Sequence, residues 1–195
     1  MYNIVIVGVG GQGTLLASKI LGYLGTVNGY DVRVSEVHGM SQRGGSVVTY
    51  VRLSNDKPIY STIVEQEQAD VVLAFEKLEA VRALPYLKPE GAIIVNTQEI
   101  LPMPVVIGQA EYPKDCMDRI HAACKAVAEV DATGMATACG TFKAANVVLL
   151  GVLAKKLPFK YEDWMNAIEN NVKEKFIDMN KKAFDMGYRL LAGIS

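Results

Sequence analysis

Short unbroken apolar runs alternate, over the first half of the chain, with stretches whose apolar positions recur at helical spacing. That is the pattern of strands covered on both faces by helices. Asn3 to Val9 predicts a first strand, and the glycine turn after it leads into a helix over Thr14 to Leu24. Beyond the Asn28-Gly29 break, Asp31 to Val37 predicts a second strand, which makes the opening a βαβ unit with parallel strands. Val47 to Leu53 reads as a third strand, with Ser54-Asn55-Asp56-Lys57 as a hairpin turn returning the chain antiparallel along Pro58 to Ser61. Val71 to Phe75, a helix over Lys77 to Leu84, and Ala92 to Asn96 restore the alternation.

The second half is read from helical periods. Pro102, Pro104 and Pro113 punctuate an extended piece containing Val105 to Ile107. Asp115 to Val130 predicts an amphipathic helix, and Cys139 to Ala154, apolar nearly all round, a buried one. Trp164, Ile168, Val172, Phe176, Met179, Ala183, Met186 and Leu190 follow at steps of three and four, predicting one long C-terminal helix. The expected fold is α/β: a single Rossmann-like domain over residues 1–195, with a mostly parallel sheet, an antiparallel hairpin, helices on both faces and a long C-terminal helix.

Composition narrows the function classes. With 195 residues, 50% hydrophobic and 21% charged, the chain can bury a sizeable core, but two full domains would be cramped. A formal net charge of -1 supplies no basic face for phosphate backbones, so nucleic acid is not an expected partner. The apolar run inside Cys139 to Ala154 falls short of the roughly 20 residues that span a bilayer, and no membrane association is expected. Without the features of a secretory signal at the N-terminus, a cytoplasmic location is expected. Cys116, Cys124 and Cys139 form no CxxC pair and no disulfide or cluster-binding framework; Cys124 shares a helical face with Met117, Ile120 and Val127, as core filler would.

The chemistry concentrates in two segments. In Gly8-Val9-Gly10-Gly11-Gln12-Gly13, the first glycine permits a tight exit from the strand, the second lets a ligand approach the backbone, and the third lets helix and strand pack closely. The helix mouth behind it favours an anion. Glu36 ends the second strand where a ribose-binding acid sits in an NAD enzyme, so a free-standing NAD-binding protein is one reading. No tyrosine has a lysine four residues on, however, and Thr14 stands where a P-loop needs lysine. With no nucleophile elbow or zinc-protease helix either, no catalytic residue and no metal ligand is assigned.

The second segment, Glu36-Val37-His38-Gly39-Met40-Ser41-Gln42-Arg43-Gly44-Gly45, places polar, charged and glycine residues at the C-terminal edge of the expected sheet, where ligands bind. Glu36, His38, Ser41, Gln42, Arg43, Gly44 and Gly45 therefore join Gly8, Gly10, Gly11, Gln12 and Gly13 as cleft candidates. Through the glycine turn and Ser41-Gln42-Arg43-Gly44-Gly45 the chain resembles the gamma-type subunit or domain of the 2-oxoacid:ferredoxin oxidoreductases. The resemblance runs through the Val47 to Leu53 strand and Asp70 to Asn96 into the helix after Gly140. The Glu36 to Gly45 wording, the stand-alone length and the C-terminal stripe look most like the beta subunit of the indolepyruvate enzymes.

What this resemblance implies is a share in oxidative decarboxylation of an arylpyruvate to an acyl-coenzyme A, with coenzyme A as co-substrate and electrons leaving to ferredoxin. Thiamine diphosphate, Mg2+ and 4Fe-4S clusters are then expected in a larger partner subunit. This chain would hold no cofactor alone and have no independent activity. Its glycine turn and loop would face coenzyme A or substrate, or else the loop and the C-terminal stripe would dock on the partner in a non-catalytic assembly subunit.

Overall fold

The computed structural model describes residues 1–39 and 44–190. Six strands form one sheet in the order β2-β3-β1-β4-β5-β6. They are β1 (Tyr2–Val9), β2 (Asp31–His38), β3 (Ser46–Ser54), β4 (Ala69–Ala74), β5 (Leu87–Asn96) and β6 (Ala126–Val130). β4, β5 and β6 run parallel to β1, while β3 is antiparallel to both of its neighbours, β1 and β2. The expected α/β, mostly parallel Rossmann-like sheet with one antiparallel excursion is therefore observed.

Successive β1 residues are buried on opposite faces. Ile4 and Ile6 pack in a core with α1 (Thr14–Val27), α6 (Ala145–Leu153), α7 (Tyr161–Asn171) and α8 (Ile177–Arg189). Val5 and Val7 pack with α2 (Lys77–Ala83) and α4 (Cys116–Ala123) on the other side. An unbroken apolar run forms a central strand because both faces are covered. Between these helices lie two short ones, α3 (Met103–Val106) and α5 (Ala132–Ala138).

The hairpin lies elsewhere than expected. β2 and β1 point the same way, as the βαβ reading requires, but β3 comes between them, so the antiparallel hairpin is β2-β3 and its connection is the loop after His38. Residues 58–61 form no strand. Both edges of β3 are already paired, leaving a returning segment no backbone partners there. Instead Ile59 is buried, and its N–H donates to Asp31 Oδ2 at 2.7 Å.

Three helical readings are also revised. The piece at Val105 to Ile107 belongs to a helical turn, α3, where Pro104 is tolerated because first-turn N–H groups lack intrahelical partners. The stretch Asp115 to Val130 divides: α4 ends at Cys124, which is extended, and Ala126–Val130 joins β5 as β6. Cys124 is nevertheless buried, as core filler should be. The C-terminal stripe is two helices, since Val172 and Lys173 are extended, and Asn171 donates its side-chain N–H to the Ala167 carbonyl at the end of α7. Trp164, Ile168 and Ala183 from that stripe are fully buried, while Phe176 at the break is 40% exposed. The buried helix expected from Cys139 begins only at Ala145, after Gly140 at φ 119 and a 3-10 turn over Phe142–Ala144.

α6 and α8 cross with their backbones in contact. A Cβ on Gly187 would lie 1.9 Å from the Val148 carbonyl oxygen, and one on Gly151 2.2 Å from that of Phe184. Backbone cannot yield as a flexible side chain can, so Gly187→Ala is expected to separate the helices and cost about 3 kcal/mol or more. Gly22, inside α1 with only Val34 Cγ2 at 3.8 Å, is the contrasting case. There alanine is expected to stabilise by roughly 0.5–1 kcal/mol. Urea unfolding of both variants checks the pair; equal effects would contradict the close crossing.

Candidate functional site

The glycine turn lies at the C-terminal edge of the sheet, between β1 and β4, where the chain's connections diverge to opposite sides; ligands bind at such a switch point. Gln12 holds the turn closed. Its Oε1 accepts the Val9 N–H at 2.7 Å, and its Nε2 donates to the Phe75 carbonyl at 2.9 Å and to Gln98 Oε1 at 3.1 Å. The exits of β1 and β4 are thereby tied together. Gly13 has φ 88, and a Cβ there would meet Asn146 Nδ2 at 2.5 Å; the same Nδ2 donates to the Gly13 carbonyl at 3.1 Å. No side chain caps α1; the Leu16 N–H donates to the Gly13 carbonyl, and the Thr14 and Leu15 N–H groups, with no partner among the described residues, are left for solvent or a ligand.

The loop after β2 meets this turn. Gly10 N–H donates to the Gly45 carbonyl at 2.9 Å, and Gly44 is left-handed at φ 77. Glu36 faces Thr49 across the β2-β3 pair, and its Oε2 accepts the Thr49 hydroxyl at 2.9 Å and the Thr14 hydroxyl at 3.3 Å. Its Oε1 pairs with His38 Nε2 at 2.7 Å. A carboxylate of the protein itself thus stands at the mouth of α1. The turn from Gly8 through Gly10, Gly11 and Gln12 to Gly13, the Glu36–His38 pair and the Gly44-Gly45 end of the loop adjoin one another, while Ser41, Gln42 and Arg43 lie outside the described residues.

Other candidate residues escaped the sequence reading. On the β4-β5 side of the turn is a cavity of about 450 Å³, lined among others by Gly11, Gln12, Asn96, Gln98, Lys143 and Asn146. Asn96, almost wholly buried, donates to the Phe75 carbonyl and to Thr133 Oγ1 and accepts the Ala132 N–H, joining β5 to α5. The signal for Asn96 and Asn146 was a lone carboxamide in an apolar run. A larger cavity, about 510 Å³, opens beside Tyr2, Ala92 and Ala126, at the N-terminal ends of the strands. It lies away from the glycine turn, and the switch point favours the smaller one.

Two buried carboxylates brace the edge. Glu76 Oε2 accepts the Glu79 N–H at 2.9 Å, and its Oε1 accepts the Tyr112 hydroxyl at 2.5 Å and the Ile100 N–H at 3.2 Å. Burial, and then the bond to Glu76, raise the Tyr112 pKa above the usual tyrosine value of 10.0. Glu79 accepts the Ser46 hydroxyl at 2.5 Å and pairs with Arg82 at 2.6 Å, fixing the start of β3 just beyond the loop. Among the described residues no group of three His, Cys, Asp or Glu is placed to hold a metal, and no helix is long and apolar enough to cross a membrane.

The family model for Pyruvate ferredoxin/flavodoxin oxidoreductase matches residues 3–190. The chain belongs to that family. An indolepyruvate oxidoreductase subunit IorB from Pyrococcus horikoshii is 42% identical over 199 residues, covering 96% of this chain and 95% of the relative. The gamma subunit of a keto/oxoacid ferredoxin oxidoreductase from Geobacter sulfurreducens superposes with a TM-score of 0.71 at 24% identity, covering 96% of each chain. A 2-oxoglutarate:ferredoxin oxidoreductase from Magnetococcus marinus, with 2-oxoglutarate, coenzyme A and succinyl-CoA bound, gives 0.73 at 18% identity; the match covers 96% of this chain and 30% of that one. These two likenesses show that the oxidoreductase family's Rossmann-like fold is shared.

Gln12→Ala would leave the Val9 N–H and the Phe75 carbonyl each short of a partner at the turn. A loss of about 1–3 kcal/mol is expected, measured by urea unfolding. An unchanged midpoint would contradict the clasp. Because Tyr112 keeps its proton in the folded chain above pH 10, where an unfolded tyrosine loses it, stability falls as pH rises past 10. Tyr112→Phe is expected to be less stable at neutral pH but to lose less between neutral and alkaline pH.

Proposed function

We propose that the chain is the small, gamma-type subunit of a ferredoxin-dependent 2-oxoacid oxidoreductase acting on indolepyruvate or a related arylpyruvate. The observation that carries this reading is the near full-length match to a subunit of an indolepyruvate oxidoreductase. In this proposal the enzyme decarboxylates the 2-oxoacid oxidatively and forms an acyl-coenzyme A. Thiamine diphosphate, Mg2+ and 4Fe-4S clusters belong to a larger partner subunit. The donor set here does not fit a cluster, since Cys116 and Cys124 are buried and no group of three potential ligands occurs among the described residues.

This chain's part is to form one wall of the shared cleft. The uncapped start of α1 offers backbone N–H groups to an anionic ligand, coenzyme A or the 2-oxoacid, beside the loop whose Gly45 carbonyl takes the Gly10 N–H. The Magnetococcus marinus enzyme has coenzyme A bound, which supports coenzyme A as the co-substrate in this reading. Arg43 is proposed to pair with a phosphate or the substrate carboxylate, and Ser41 and Gln42 to hydrogen-bond beside it. A free-standing NAD protein is less well supported: both Glu36 oxygens already have partners, and β3 separates β2 from β1.

A second reading, assembly without a part in chemistry, is favoured by one observation. Leu101, Met103, Val106 and Ile107, all more than half exposed, form an apolar stretch near the C-terminal edge. Co-expression with the partner subunit, followed by ferredoxin reduction over a panel of 2-oxoacids, tests the main proposal; indolepyruvate or phenylpyruvate is expected to outrun pyruvate and 2-oxoglutarate. In the assembled enzyme Arg43→Ala is expected to raise KM for coenzyme A or the 2-oxoacid about tenfold. Unchanged kinetics with weakened subunit association on size-exclusion chromatography would favour assembly instead.

A further inference from the structure

The cavity on the β4-β5 side of the glycine turn has a chemistry of its own. Its apolar wall comes from Leu16, Phe75, Ile100, Phe142 and Leu149, contributed by α1, the segments after β4 and β5, the corner before α6, and α6 itself. Phe142 is 60% exposed, a large aromatic left at the cavity rather than packed in the core. Lys143 is the one cation among the lining residues, no acid lines the cavity, and Lys143 makes no ion pair among the described residues.

The free side-chain polar groups are donors. Gln98 Oε1 accepts from Gln12 Nε2, Asn96 Nδ2 and Thr133 Oγ1, whereas Gln98 Nε2 has no partner among the described residues. Asn146 is spent on the Gly13 carbonyl and the Val147 N–H. A lysine ammonium and an unpaired carboxamide N–H group beside apolar walls suit a ligand whose polar end only accepts, as a carboxylate does, and whose body is apolar. A volume of about 450 Å³ lies in the range of small-molecule pockets.

We propose that this cavity is a binding site for an aryl carboxylate, with the ring against Phe142, Ile100 and Leu149 and the carboxylate on Lys143 Nζ and Gln98 Nε2. The choice of an aryl body rests on the proposed arylpyruvate reading, while the need for one anionic end and an apolar body rests on the cavity. Glu36 is not among the cavity's lining residues, and its oxygens are taken by Thr14, Thr49 and His38.

The test is calorimetric titration of the full chain with phenylpyruvate and indole-3-acetate, beside pyruvate, ADP and inorganic phosphate. The two aryl acids are expected to bind with Kd of roughly 1 mM or tighter, and pyruvate, ADP and phosphate at least about tenfold more weakly. Lys143→Gln, an exposed substitution, is expected to weaken aryl acid binding about tenfold with an unchanged unfolding midpoint, and Phe142→Ala to weaken it as well. Failure of both aryl acids to bind, equal binding of pyruvate or ADP, or indifference to Lys143→Gln would overturn the proposal. Ferredoxin reduction in the assembled enzyme can fail while this binding persists, so the two readings fail separately.

Discussion

The carboxamide of Gln12 is the contact on which the ligand edge depends. One side chain accepts from the strand that precedes it and donates to the strand beside it, so the ends of β1 and β4 cannot part without breaking the clasp. Such a hydrogen bond contributes about 1 kcal/mol net when made, but leaving its partners unpaired in a partly buried site costs more. The clasp also explains Gly8, where a Cβ would lie 2.9 Å from Gln12 Oε1. Through Gln98 it reaches Asn96 and Thr133, and hence β5 and α5. Four elements meet at one amide cluster, and the cavity is the space that they leave.

Much of the fold was legible because the central strands are covered on both faces. β1, β4 and the second half of β5, from Ala92, appear as apolar runs, and α1 as a helical period behind a glycine turn. What the pattern could not supply was partner choice. The β2-β3 hairpin closes through a loop rich in glycine and polar residues, which reads as a ligand loop and not as a hairpin turn. β6 was lost for another reason: Met117, Ile120, Cys124 and Val127 keep a helical period across a change of structure. The burial of Ala128 and Val130, alternating with exposed Glu129, shows the two-residue period that decides it.

The site was legible where chemistry needs special backbone and hidden where it needs ordinary side chains in unusual surroundings. Gly13 must be left-handed, and that need shows in sequence. Asn96, Asn146 and Glu76 are common residue types, and only their burial gives them meaning. Each carries hydrogen bonds from groups distant in sequence: Glu76 from Ile100 and Tyr112, Asn96 from Ala132, and Asn146 gives one to Gly13. Long-range pairing of this kind follows from topology, which one sequence does not display.

The two flanks of the turn are electrostatically unlike, and magnitudes say how an anion must approach. A helix end favours a negative group by roughly 0.3–2 kcal/mol. Two like charges about 4 Å apart near a protein surface repel by roughly 4 kcal/mol. With the Glu36 carboxylate at Thr14, a second anion on that side loses more to repulsion than the helix returns. A phosphate there must bring or find a cation, and the loop beyond His38 carries Arg43 at the right place in sequence to supply one. On the Lys143 side no acid lines the cavity, so an anion gains from ammonium and helix mouth together. In the proposed reading the glycine turn is a partition between two anion-accepting sides rather than one nucleotide pocket: on one side acceptance would depend on Arg43, and on the other on Lys143 and Gln98.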